Sequence, residues 1–88
     1  MVALNRAIVV ANLHGPKAGL EAIAVIPDLE TLNTYYLLHA VLGEFETRLN
    51  HNQAAAGHFR KSLDLAQIKS ERLFLSQKLE ACLNEARG

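Results

Sequence analysis

YLLHAVLGEFETRLNHNQAAAGHFRKSLDLA, residues Tyr36 to Ala66, reads as two antiparallel helices closed by a short polar turn. Tyr35, Leu38, Leu42, Phe45 and Leu49 recur at steps of three and four, which places them on one face of a helix of about 3.6 residues per turn. Ala55, Ala56, Phe59, Leu63 and Ala66 repeat that spacing after Asn50-His51-Asn52. The side chains of this turn accept hydrogen bonds and suit a helix end followed by a new N-cap. Each apolar face must leave water, so the two helices are expected to close on each other as a hairpin.

The offsets within the hairpin carry more than the periodicity. A tetratricopeptide unit has a large residue, then Leu-Gly, an aromatic, a small Ala, an aromatic and a Pro at fixed positions. His39, Leu42, Gly43, Glu46, Ala55, Phe59 and Gln67 stand at those offsets. Leu42, Gly43, Ala55 and Phe59 match, whereas His39, Glu46 and Gln67 do not. A glycine inside a helix costs about 1 kcal/mol relative to Ala. Close approach of the second helix over the missing Cβ of Gly43 gives a reason to keep it, with Ala55 and Ala56 as the small residues that meet it.

With 88 residues the chain is at most one domain, and a domain of that size buries proportionally little surface. Half of the residues are apolar and the formal charge is zero, a composition that favours a globular chain over a disordered one. The same balance argues against direct nucleic-acid binding, which draws on clustered cations. Arg60, Lys61, Lys69, Arg72 and Lys78 are interrupted by Asp64, Glu71 and Glu80 and read as a solvated face. The lone Cys82 excludes an internal disulfide, fits a reducing cytoplasm and sits in an apolar stripe as a small core residue. No signal peptide stands out, and no apolar run approaches the ~20 residues of a membrane span.

The remaining helices flank the hairpin. Leu4, Ala7, Ile8 and Ala11 share a face of a first helix over Val2–Asn12. Gly15-Pro16 closes it and opens a second, Pro being suited to the first helical position because its missing N–H finds no intrahelical partner there. That second helix runs to about Ile26 with Leu20, Ile23, Ala24 and Ile26 as its stripe, stops at Pro27, and leads into a loop to Thr34. At the C-terminal end, Ser70 can cap a fifth helix with Glu71 at its positive end, Arg87 at its negative end and Leu75, Leu79, Cys82 and Ala86 as its stripe. The fold expected is therefore all-α: antiparallel helical hairpins stacked as a short tetratricopeptide-like solenoid, with a degenerate repeat over 1–33, a repeat over 34–69 and a capping helix over 70–87. Helix one is apolar almost all round through Ile8, Val9, Val10 and Ala11. Either further repeats precede Val2 in a longer chain, the reading favoured here, or the exposed side of helix one forms a homodimer.

Catalytic and metal chemistry have no visible apparatus. None of the four histidines has the i, i+4 partner that helical metal sites use. There is no Gly-rich phosphate loop, no nucleophile elbow and no pair of carboxylates framed by a pocket. The chain is read as non-catalytic and without a cofactor.

Four segments, Ala3-Leu4-Asn5-Arg6-Ala7, Gly15-Pro16-Lys17-Ala18-Gly19-Leu20, Leu37-Leu38-His39-Ala40 and Glu71-Arg72-Leu73-Phe74-Leu75, occur in an order that goes well beyond a generic repeat. In this order the chain resembles the C-terminal tetratricopeptide-like domain of a group of bacterial extracytoplasmic-function RNA polymerase sigma factors. The resemblance runs over nearly the whole chain. It implies a regulatory extension in the cytoplasm that contacts the sigma-factor core domains, RNA polymerase or a co-encoded regulatory protein. Promoter reading would belong to the sigma domains, which this chain does not contain. The sequence departs from the family pattern at Glu44, Glu46 and Thr47, where a more basic or leucine-rich run is usual, and at Gln67, where Pro is usual.

First helices of tetratricopeptide hairpins face a concave groove. On that view Leu37, Ala40, Glu44, Thr47 and Arg48 line a partner-binding surface away from the Leu42/Phe45 stripe. Glu44 and Arg48 also form an i, i+4 pair, worth about 0.2–0.5 kcal/mol by itself. Asn5 and Arg6 either extend the groove or tie helices together by hydrogen bonds. Ala40 lacks the amide with which this fold clamps a peptide carboxylate, which disfavours a free C-terminal peptide as the ligand. Two functions are left: a protein-interaction module regulating a sigma factor, or a stand-alone self-associating scaffold.

Overall fold

The computed structural model describes residues 2–27 and 35–87. They form five α-helices, α1 (Val2–His14), α2 (Pro16–Ala24), α3 (Tyr36–Arg48), α4 (Asn52–Leu65) and α5 (Lys69–Arg87), with no strand among the described residues. The radius of gyration is 12.5 Å, close to the ~12 Å of a compact chain of this length. No helix of the described residues is long and apolar enough to cross a membrane. The loop expected over 28–34, the Ala86 end of the last stripe and the Arg87 charge lie outside the described residues or side chains.

Two turns set the hairpins. Between α1 and α2, Gly15 sits at φ 99°, ψ 162°, a region essentially confined to glycine, and Pro16 opens α2 at once. Between α3 and α4, Asn50 adopts the left-handed conformation at φ 63°. The His51 N–H donates to the Glu46 carbonyl at 2.9 Å and the Asn50 N–H to the Thr47 carbonyl at 3.0 Å, the paired bonds of a Schellman ending. The turn therefore works through backbone geometry. No side chain caps α4: His51 occupies its N-cap position, and its ring nitrogen lies 3.2 Å from Glu46.

The core has two parts that meet at α3. Leu4, Ala7, Ala11, Ile23, Leu38, Val41 and Phe45 form the first, joining α1 and α2 to one side of α3. Ala55, Ala56, Phe59, Ala66, Leu75 and Cys82 form the second, joining α4 and α5 to the other side through Tyr36 and Ala40. Because α3 is enclosed on two sides, His39, Val41 and Gly43 are buried along with the expected Leu38 and Phe45, while Tyr35, Leu42 and Leu49 are only half-buried.

Several boundaries and partners differ from the expectations. The second helix ends at Ala24, before Ile26, and Ala24 is exposed. Gly43 is closely approached, but by Phe59: a Cβ there would lie 2.8 Å from two ring carbons, and Ala55 and Ala56 are not its nearest neighbours. Helix α5 begins at Lys69, and the Arg72 N–H donates to the Ile68 carbonyl at 3.0 Å, which puts Ile68 at the N-cap and Ser70 inside the helix. The join between α4 and α5 is instead secured by Arg72, whose Nη1 donates to the carbonyls of Leu63 at 2.7 Å and Ala66 at 3.0 Å. These are carbonyls that the end of a helix leaves without intrahelical donors.

Candidate functional site

One face of the molecule runs along α3, α5 and the end of α1. Three side-chain contacts join α3 to α5: Tyr36 to Glu71, Glu44 to Lys78 and Thr47 to Cys82. They ascend both helices together, so α3 and α5 run parallel with sequence separations of 35, 34 and 35. On the other side of α3, the Arg48 guanidinium reaches the Asn12 side-chain oxygen at 3.4 Å, a separation of 36.

The middle of the face is charged. Lys78 Nζ lies 3.2 Å from the Glu44 carboxylate, and Arg48 Nε lies 3.7 Å from its other oxygen. All three side chains keep part of their surface in water. Asn12, Arg48, Glu44 and Lys78 thus form one polar strip from α1 across α3 to α5. Exposed pairs of this kind add at most about 1 kcal/mol to stability, so the strip is available for recognition at small structural cost. Thr47 turns inward: its hydroxyl donates to the Gly43 carbonyl at 2.8 Å and lies 3.5 Å from the Cys82 sulfur.

Toward the start of α3 the surface becomes apolar and concave. Tyr36, Leu37, Ala40, Ser70, Glu71, Phe74 and Leu75 line a cavity of about 270 Å³ between α3 and α5. The Tyr36 hydroxyl donates to Glu71 at 2.6 Å, and the buried Ser62 hydroxyl donates to the Tyr36 carbonyl at 2.7 Å, fixing this end of α3. The hydrogen bond to Glu71, then burial, then the negative charge of Glu71 and finally Tyr35 push the Tyr36 phenol from 10.0 up to about 12. Ionisation removes the proton that Glu71 accepts. The bond therefore stabilises the fold fully below pH 10, and the contribution is lost as pH rises from about 10 through about 12. Tyrosinate absorbance should show one phenol titrating near 12 in the folded chain, and Glu71→Ala should bring it down toward 10. An alkaline titration unchanged by Glu71→Ala would show that this bond does not hold in solution.

Five of the seven candidate groove residues are brought together. Leu37 and Ala40 line the cavity, Glu44 and Arg48 form the strip, and Thr47 lines a small hollow with Lys78 and Cys82. Arg6 is elsewhere, in the wall of a shallow depression with Ala3, Ala22, Val25, Ile26 and Pro27 between α1 and α2. Asn5 is exposed two turns before Asn12 on α1 and makes no side-chain hydrogen bond among the described residues. Sequence reading missed Asn12, Tyr36 and the whole α5 share of the face, Ser70, Glu71, Phe74, Leu75 and Lys78. Their signal was present as residues separated by about one repeat from positions on the neighbouring odd-numbered helix.

Three of the histidines lie around Glu46: His51 is 3.2 Å from it, and His58 feels the charges of Glu46 and His39. His39 is buried in α3, His51 faces Glu46, His14 is exposed, and His58 is half-buried, with its pKa lowered chiefly by burial. Among the described residues no group of three His, Cys, Asp or Glu side chains could hold a metal ion. Comparisons with family models, with curated proteins and with solved structures find no match to this chain.

Proposed function

We propose that this chain is a non-catalytic protein-interaction module that regulates an extracytoplasmic-function RNA polymerase sigma factor, and that its helices form a tetratricopeptide-like solenoid. The observation that carries the interaction reading is the polar strip Asn12–Arg48–Glu44–Lys78, which crosses three helices while remaining accessible. The solenoid reading is supported by the 34- to 36-residue separations between facing residues on odd-numbered helices, since one tetratricopeptide unit is about 34 residues long. The partner class rests on the sequence resemblance: the sigma-factor core domains, core polymerase or a co-encoded regulatory protein, met in the cytoplasm.

Titration calorimetry of the purified chain against sigma-factor core domains and against core RNA polymerase tests this directly. Glu44→Arg combined with Arg48→Glu should weaken binding at least about tenfold, the effect of mispaired interfacial charges. The melting temperature should move little, because exposed pairs contribute at most about 1 kcal/mol. Absence of binding to either partner, or binding indifferent to the reversal, would count against the proposal.

A second reading, self-association, is favoured by the exposed apolar side of α1, where Val9 is 54% and Leu13 is 72% accessible. Val10 is half-buried, so Val9 and Leu13 are the residues that a second copy would cover. Sedimentation should then show a concentration-dependent dimer that Val9→Glu breaks. A monomer throughout the accessible concentration range removes this reading.

A further inference from the structure

The cavity between α3 and α5 is distinct from the charged strip. It is lined by the apolar Leu37, Ala40, Phe74 and Leu75 together with Tyr36, Ser70 and Glu71. About 270 Å³ is below the ~300–1,000 Å³ of sites that enclose a drug-sized ligand or cofactor, and it is suited to one large side chain. Phe74 leaves 55% of its surface in water at the mouth of the cavity, and Lys78 lies over its ring 5.6 Å from the centroid. An open aromatic held in place beside an apolar hollow has the make-up of an interface anchor point.

The charge at the edge selects the occupant. Glu71 is only part-exposed, and its one side-chain partner among the described residues is the neutral Tyr36 hydroxyl. Its position in the first turn of α5 gives it the helix dipole, a fraction of a counterion. No side-chain cation pairs with it among the described residues: Arg72 donates to the carbonyls of Leu63 and Ala66, and Lys78 pairs with Glu44. The α3 side of the cavity is neutral, through Tyr36, Leu37 and Ala40. An incoming cation would meet a carboxylate without an ion-pair partner among the described residues, next to the apolar hollow.

We propose that this cavity seats one large apolar side chain of a partner polypeptide, with a neighbouring Lys or Arg of that polypeptide engaging Glu71. The inference rests on the interaction reading above for the statement that the ligand is a protein. It adds the chemistry that this end of the face recognises.

The test is an amide-resolved NMR titration of the full chain with three blocked peptides, Gly-Phe-Lys-Gly, Gly-Phe-Glu-Gly and Gly-Ala-Lys-Gly. The Phe-Lys peptide should shift the amides of Leu37, Ala40, Phe74 and Leu75 at millimolar concentration. The other two peptides should bind about tenfold more weakly or less. Glu71→Gln, which keeps an acceptor for Tyr36, should abolish the preference for Lys over Glu. Ala40→Phe should fill the cavity and remove binding of all three. No shift at these amides with the Phe-Lys peptide, or equal binding of the Phe-Glu peptide, overturns the proposal. Applying both variants to the calorimetry above separates the two readings. Peptide binding at the cavity without sigma-factor or polymerase binding leaves this site standing and removes the sigma assignment. Sigma-factor or polymerase binding that ignores both variants, with no peptide shift, removes the site and leaves the assignment.

Discussion

Phe59→Ala is expected to destabilise the domain by about 3–5 kcal/mol, the usual cost of truncating a buried aromatic. The ring is 1% accessible, lies within the Ala55, Ala56, Ala66, Leu75 and Cys82 cluster, and covers the backbone of α3 at Gly43. The residues around it are mostly small and attached to helix backbones, so little can move in to fill the hole. A domain of this length has a total stability of only about 4–13 kcal/mol, and each kcal/mol corresponds to about 4–8 °C in midpoint. Thermal melts followed by circular dichroism should therefore show Phe59→Ala unfolded at room temperature, or melting at least about 12 °C lower. Phe74→Ala on the exposed end of α5 should change the midpoint far less. Equal effects of the two would mean that α4 does not close on α3 as described.

The three helical glycines should respond to alanine with different signs, although intrinsic propensity favours alanine by about 1 kcal/mol at each. At Gly19 an added Cβ would lie 2.6 Å from the Ala11 Cβ and 2.7 Å from a Phe45 ring carbon. The Ala11 Cβ cannot move without α1, so α1 and α2 must separate, and overpacking of this kind costs about 1–3 kcal/mol or more. Gly19→Ala should be the most destabilising, by about 2 kcal/mol net. At Gly43 the nearest obstacle is the Phe59 ring, 2.8 Å away, which can tilt but is enclosed; a loss of about 1 kcal/mol is expected. At Gly57 nothing lies within 4 Å, and Gly57→Ala should stabilise by up to about 1 kcal/mol. Denaturant midpoints of the three variants check the order, and a stabilised Gly19→Ala would contradict the close crossing of α1, α2 and α3.

Of the candidate face, only the α3 share was legible before the structure. Leu37, Ala40, Glu44, Thr47 and Arg48 could be placed from helical spacing, because one helix sets which of its own residues point together. Lys78, Phe74 and Glu71 are on α5, and their positions against α3 depend on how two helices far apart in sequence are set side by side. The same limit applies to Arg6. Its spacing is compatible with a groove, yet the crossing of α1 over α2 places it beside Val25 and Pro27. Arg72 reads as part of a solvated face but closes the end of α4, and Ser62, to which spacing assigns no role, is buried against the Tyr36 carbonyl.

By itself the sequence determined the all-helical class, all five helices to within about two residues at each described end, and most of the buried apolar positions. Those properties follow from local periodicity, from Gly15-Pro16 and from the polar turn at Asn50, and neighbours along the chain suffice to express them. Only the tertiary structure decided that α3 is enclosed from two sides, that Phe59 is what Gly43 accommodates, and that α3 and α5 run parallel with a polar strip and an apolar cavity between them. The physical reason is that these depend on interhelical approach, which is set by the shape of whole side-chain surfaces.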